Sequence, residues 1–330
     1  MSGTVLVCGG AGYIGSHACK HLARAGYQPV VFDDLSTGHR WAVKWGPLEE
    51  GNLLDRMALS AVFERWHFDA VFHFAAKSLV AESNRDPFAC HRNNIVGTIN
   101  LIDAMHAANV AQLVFSSSAA VYGNPERSPI DEDQPCLPIN PYGLSKRVAE
   151  QIIAGAAVTN GLRAVSLRYF NAAGADMDGE LGEAHLPESH LIPSILSAAL
   201  EPERSVELFG NDYETPDGTC IRDYVHVDDL CTAHLLALEY IKRHDGAHTF
   251  NLGNGAGFSV REVLVAAEKI TGAGIPHTFA PRREGDPPQL VASAKKASKL
   301  LGWEPRYRRI ETIIASAWSW HRQMRLGLQK

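Results

Sequence analysis

The segment Pro141-Tyr142-Gly143-Leu144-Ser145-Lys146 carries a phenol and an ammonium four positions apart. On a helix those two side chains share one face. A phenol titrates near 10 and is a poor base at neutral pH. A neighbouring cation favours the phenolate and brings it towards working range. Ser116-Ser117-Ser118 ends an apolar run upstream, and the Ser118 hydroxyl can donate a hydrogen bond to the same substrate oxygen. Alone, a Tyr-x-x-x-Lys spacing is equally an exposed helix pair worth a few tenths of a kcal/mol. Its meaning depends on what surrounds it.

A second element supplies that meaning. Gly9-Gly10-Ala11-Gly12-Tyr13-Ile14-Gly15 is G-x-x-G-x-x-G, placed between an apolar run and a helix-period segment. Gly9, Gly12 and Gly15 allow a tight turn and close approach of backbone to a pyrophosphate, and the helix N-terminus directs N–H groups at it. Asp33 follows about 20 residues later, where an acid binds ribose hydroxyls in a dinucleotide fold. Asp33-Asp34 repels a 2′-phosphate, so NAD is expected over NADP. Glycine loop, strand-end serine and Tyr-Lys pair, in that order, predict hydride chemistry on a hydroxyl-bearing carbon.

These groups need a scaffold, and the first half of the chain predicts one. Thr4–Cys8, Pro29–Asp33, 70–75, 112–117 and 163–168 read as strands. Ile14, Ala18, Leu22 and Ala25 recur at helical spacing and Gly26 stops that helix; Ile95, Ile99, Ile102 and Met105 form a similar stripe. A further helix is expected over 147–158. Strands apolar throughout are buried on both faces, as in a parallel sheet with crossover helices. The fold class is therefore α/β, a Rossmann-type doubly wound parallel sheet with a smaller α/β C-terminal domain. After about Asn171 turn-like stretches (174–190, 210–220) alternate with helical patches at 191–200, 228–243, 259–271 and 310–325. The expected division is 1–170 for the dinucleotide and 171–330 for the substrate, with about 222–253 returning to the first domain.

The chain has 330 residues, 45% hydrophobic and 21% charged, with a formal charge of −6. A nonspecific nucleic-acid binder needs concentrated Lys and Arg and is not expected. No stretch approaches the roughly 20 apolar residues of a membrane span, and the N-terminus lacks a basic-then-apolar leader; a cytoplasmic protein is expected. Six scattered cysteines with no C-x-x-C spacing read as buried reduced thiols. No metal is expected.

The chain resembles the extended short-chain dehydrogenase/reductases, and within them the UDP-glucose (UDP-galactose) 4-epimerase subfamily. The resemblance runs from Val5 to about Trp320. It is carried by GGAGYIGSH (9–17), FDDLSTGH (32–39), HFAA (73–76), NNIVGT (93–98), FSSSAAVYG (115–123), PYGLSK (141–146), LRYFNAAGA (167–175), HLIP (190–193), LFGNDYETPDGTCIRDYVHVDDL (208–230), NLGNG (251–255) and APRREGD (280–286). It implies interconversion of UDP-glucose and UDP-galactose by inversion at sugar C4, through a transient 4-keto sugar and bound NAD. Tyr142 would be the base, Lys146 would bind the nicotinamide ribose and lower the Tyr142 pKa, and Ser118 would assist at O4. Beside the glycine loop, Tyr13, Ile14, Asp33, Asp34, Asn52, Leu53, Phe74, Ala75, Ala76, Lys77, Asn93, Ser116 and Phe170 would line the NAD. Asn171, Arg222 and Arg283 would hold the diphosphate. His190, Leu191 and Phe209 would lie along the nucleotide, Asp286 would bind the uridine ribose, and Leu290 would stand where side-chain bulk gates N-acetylated sugars. The resemblance further implies a homodimer through helices at 92–108 and 143–158, whose Ala149, Ala154, Ala156 and Ala157 would permit close packing.

Some positions depart from the family pattern. Asn52 replaces an acid near the adenine. Sugar-nucleotide 4,6-dehydratases, which share the Tyr-Lys pair, carry Asp-Glu after the strand-end residue; here Ala119 and Ala120 stand there. UDP-N-acetylhexosamines, UDP-pentoses and UDP-uronates stay open as substrates. A noncatalytic NAD-sensing protein would be expected to lose Tyr142 or Lys146, and both are present.

Overall fold

A computed structural model describes residues 3–201, 203–283 and 286–327. Strands β1 (Thr4–Cys8), β2 (Gln28–Asp33), β3 (Leu48–Glu50), β4 (Ala70–His73), β5 (Gln112–Ser118) and β6 (Arg163–Tyr169) join Ala247–Leu252 in a seven-stranded sheet. Its order is Ala247–Leu252, β6, β5, β4, β1, β2, β3, and every pairing is parallel. The strand Ala247–Leu252 thus comes back to the sheet from the C-terminal half.

Alternation along the strands divides the core in two, because successive side chains leave opposite faces. Val5, Val7, Val31, Phe72, Val114, Val165 and Leu167 pack against helix α1 (Tyr13–Arg24) and the Val227–Ile241 helix. Leu6, Cys8, Val30, Phe32, Val71, Leu113 and Phe115 pack against the Arg56–Arg65, Gly97–Ala107 and Pro141–Asn160 helices. A third cluster lies among the Leu191–Leu200, Val260–Thr271 and Ile310–Arg325 helices, with a parallel pair of strands, Val206–Phe209 and His277–Ala280. Among the described residues no helix is long and apolar enough to cross a membrane.

Local chemistry moved several expected boundaries. The 70–75 strand stops at His73, because the Phe74 and Ala75 N–H groups both turn to the Cys8 carbonyl (2.8 and 3.0 Å). The helix expected from 147 begins at Pro141: Asn140 caps it by accepting from Gly143 N at 2.8 Å, and proline suits the first turn. The 92–108 stripe opens as a π-helical stretch, Arg92–Val96. The wider turn changes which residues face inward, so Asn94 is buried while Ile99 of the expected apolar stripe is exposed. All six cysteines are free; five are buried, and Cys136 is half-buried.

Candidate active site

The glycine loop sits at the carboxyl end of β1. Gly9 has φ +80, and a Cβ there would meet Ala75 N at 2.5 Å. On Gly15 a Cβ would fall 2.1 Å from the Gly9 carbonyl oxygen. Both positions are therefore closed to any side chain. Gly12, the α1 N-cap, differs: a Cβ would touch only Gly9 O, at 3.4 Å, and no side chain caps the helix. Its first N–H groups have no acid in the opening turn to answer them. That cradle fits a pyrophosphate.

Asp33 completes it. Its buried carboxylate accepts from Ala11 N and Leu35 N, each at 2.9 Å, which locks the loop to the end of β2 and leaves lone pairs for ribose hydroxyls. Burial raises its pKa, against the pull of those two N–H donors. Asn52 Nδ2 donates to the exposed Asp34 at 2.6 Å, and Leu53 is buried beneath. Tyr13 O–H donates to Gly174 O at 2.7 Å, tying the loop to the C-terminal half; Ile14 packs on the core. Phe74, Ala75, Ala76 and Lys77 follow β4, whose end faces the same loop.

Tyr142, Lys146 and Ser118 converge at the carboxyl edge of β5. The Ser118 hydroxyl stands beside the Tyr142 phenol and favours its ionisation. Burial, first of all, pushes Tyr142 up to about 12; the nearby Ser118 hydroxyl works against this. Lys146 is 2% exposed, and its Nζ donates to Ser116 O at 2.7 Å. It stands 4.8 Å from the Phe115 ring centre and 5.9 Å from that of Tyr142. Burial lowers its pKa to about 8.

Several supporting residues escaped the sequence reading. Asn94 accepts from Lys77 N (2.8 Å) and donates to Lys77 O (3.0 Å) and Ser145 Oγ (2.9 Å), joining the β4 loop to the Tyr-Lys helix. Asn93, the expected cofactor contact, is half-buried and donates to Asn94 at 3.0 Å. The Asn-Asn pair was the available signal, but the π-turn decides which one points inward. Glu150, one turn after Lys146, accepts from Arg168 Nε (2.8 Å), Arg168 Nη2 (2.6 Å) and Ser117 Oγ (2.6 Å), and Arg168 Nη1 reaches Tyr122 (2.9 Å). This network clamps the helix across β5 and β6. Ser116 Oγ bonds the Tyr169 hydroxyl.

Several of the expected substrate residues gather around the short strand Ile221–Arg222, which pairs with Leu290. Arg222 pairs with Asp286 and donates to Ile221 O at 2.8 Å. The Arg283 guanidinium lies 4.0 Å from the Phe209 ring centre. Glu284 and Gly285 of the 280–286 motif lie outside the described residues. Asp223 ties this region together, accepting from Asn254 N (2.7 Å), Gly255 N (3.1 Å) and Ala292 N (3.1 Å), and burial raises it to about 6. Asn171 N donates to Asp223 O, while its side chain is exposed. Phe170 and Leu290 pack on Val121, Tyr122 and Ile130. Leu191 packs at the start of its helix. His190 is half exposed, with its Nδ1 engaged by Glu183.

This combination of parallel sheet, glycine cradle and Tyr-Lys helix is that of a dinucleotide-dependent enzyme acting on a hydroxyl. Residues 5–253 match the NAD dependent epimerase/dehydratase family, and the chain belongs to it. It is 50% identical to the UDP-glucose 4-epimerase of Rhizobium leguminosarum bv. trifolii, over 96% of this chain and 97% of that one. The crystal structure of UDP-glucose 4-epimerase from Brucella ovis in complex with NAD superposes with a TM-score of 0.93 at 50% identity, covering 96% and 98% of the two chains. The enzyme from Bifidobacterium longum in complex with NAD+ and UDP gives 0.93 at 37% identity, covering 99% and 100%.

Proposed function

We infer that this chain interconverts UDP-glucose and UDP-galactose by inversion at sugar C4, with NAD as its cofactor. The observation that carries the reading is the Tyr142–Ser118 hydroxyl pair at the end of β5, with Lys146 behind it and the glycine cradle at the same edge of the sheet on β1, across β4. NAD, when bound, supplies a reversible hydride acceptor for C4 and a cationic ring.

Tyr142 takes the proton from the sugar O4 and later returns it, and Ser118 donates a hydrogen bond to that oxygen. Lys146 holds the nicotinamide ribose from its anchor on Ser116. Gly9, Gly12, Tyr13, Ile14 and Gly15 take the pyrophosphate region and Asp33 the ribose hydroxyls. Asp34, Asn52, Leu53, Phe74, Ala75, Ala76, Lys77, Asn93, Ser116 and Phe170 complete the cofactor wall. Arg222, Arg283 and Asn171 grip the diphosphate, Arg because its fork matches phosphate oxygens. Leu191 and Phe209 flank the nucleotide, Asp286 binds its ribose and Leu290 borders the sugar. Firm nucleotide contacts with few groups on the hexose leave the flat 4-keto sugar free to turn and be reduced on its other face. A dehydratase would need an acid and a base after β5; Ala119 and Ala120 offer neither, and Ala120 N merely donates to Ser118 Oγ at 3.2 Å.

On this reading residues 1–170 serve NAD and 171–330 the UDP-sugar, with about 222–253 returning to the sheet. Six unpaired cysteines suit a reducing compartment such as the cytoplasm. A homodimer through the outer faces of the 92–107 and 141–160 helices is supported by exposed Val96, Ile99, Leu144 and Val158. Ala149 takes no part, being buried in its own core. The deciding experiment is UDP-galactose conversion by purified protein with no NAD added. UDP-glucose should form; no conversion with or without added NAD would overturn the reading.

A further inference from the structure

We propose that Glu183, His185, Glu188 and His190 form a structural site for a divalent transition-metal cation of the zinc class. One ligand atom from each residue, two imidazole nitrogens and two carboxylate oxygens, lies within 4.8 Å of all the others. His185 Nδ1 is 3.1 Å from Glu183 Oε1 and 3.8 Å from Glu188 Oε2. His190 Nδ1 is 3.9 Å from Glu188 Oε1 and is in contact with Glu183. Ligands about 2.0–2.1 Å from a tetrahedral zinc stand about 3.4 Å apart. Counting either oxygen of Glu188, three of these separations lie within about 0.5 Å of that edge, and the closer His190–Glu183 contact would open to admit the ion.

Two observations separate this cluster from an ordinary charged surface. The Glu183 and Glu188 side chains are only 5% and 11% exposed. His185 Nδ1 is shut off from solvent and makes no aligned hydrogen bond. A cation at the centre would satisfy that nitrogen, and unsatisfied buried polar atoms in native folds call for such an explanation. The nearby trio Asp176, Asp178 and Glu180 shows the contrast. Lys20 Nζ reaches all three, at 2.6, 3.0 and 2.6 Å, so a cation is already supplied by the protein.

The backbone positions the ligands. Glu183 O accepts from Trp320 Nε1 at 2.9 Å, and Glu188 Oε1 from Ser189 N and His190 N at 2.7 and 2.8 Å. Two imidazoles with two carboxylates favour zinc over calcium or magnesium. With all four positions filled by the protein the site is closed, as structural zinc sites are. Its work is to pin the 183–190 loop. His185 packs edge-on to Tyr13 of the glycine cradle, centroids 6.4 Å apart, and Leu191 starts the next helix. The sequence reading expected no metal, because the ligands come from a turn-rich stretch without a familiar spacing.

Untagged protein, stripped with chelator and carrying its NAD, is titrated with zinc chloride by calorimetry and followed by thermal unfolding. One equivalent per chain should bind and raise Tm. Cobalt(II) in its place should give the intense visible absorption of a tetrahedral centre. The His185→Gln/His190→Gln double variant should keep its circular dichroism and lose both signals. Should that variant fail to fold, His190→Gln alone, at an exposed side chain, should bind measurably more weakly. No saturable uptake by the wild type, an octahedral cobalt spectrum, or uptake unchanged in the variants would each overturn the site.

Discussion

Lys146 Nζ hydrogen-bonds the carbonyl oxygen of Ser116 at 2.7 Å, so the ammonium on the helix is anchored to the strand that ends in Ser118. The anchor holds a cation where burial opposes it, and its pKa falls to about 8. An unfolded lysine titrates near 10.4. Between those values the native chain binds fewer protons than the unfolded one, so stability rises with pH, by at most about 1.4 kcal/mol per unit. Lys146→Met removes this gain. From about pH 8 to about pH 10, wild type should therefore gain stability relative to the variant in urea unfolding. Parallel profiles would show that the ammonium is not held down.

The glycine cradle makes two different demands. Gly15→Ala drives a methyl into the Gly9 carbonyl, so loss of both stability and NAD is expected. Gly12→Ala meets only that oxygen at 3.4 Å, so the fold should survive while NAD retention weakens. Cofactor released by heating, measured against Tm, distinguishes the two.

Glu150→Gln leaves the Arg168 guanidinium buried without its counter-charge and with one acceptor fewer. Breaking such a pair costs about 3–5 kcal/mol. Urea unfolding of Glu150→Gln should show a loss of that size, and a loss below about 1 kcal/mol would mean the clamp is dispensable.

Asn94→Ala should cost about 1–3 kcal/mol, since it strands polar groups of Lys77 and Ser145. Asn94→Asp restores the acceptor for Lys77 N but not the donor to Ser145, so it should recover only part. Denaturation midpoints of the two variants check this.

What the sequence made legible was local. The glycine loop, Asp33 and the Tyr142–Lys146 turn each depend on spacing within one element, and spacing survives without coordinates. Glu150, Arg168 and Tyr122 meet only because β5, β6 and the 141–160 helix pack together, and nothing in the spacing announces it. The burial of Asn94 turns on one wide helical turn.

The most direct test is Tyr142→Phe, which removes one hydroxyl and should leave fold and NAD content intact. UDP-galactose turnover is measured alongside released NAD. Loss of a general base costs about 10²–10⁴-fold in rate, or about 3–5 kcal/mol of barrier, and a fall of that size with NAD still bound is the expected result. A fall of less than about fivefold, with NAD retained, would contradict the assignment of Tyr142 as the base.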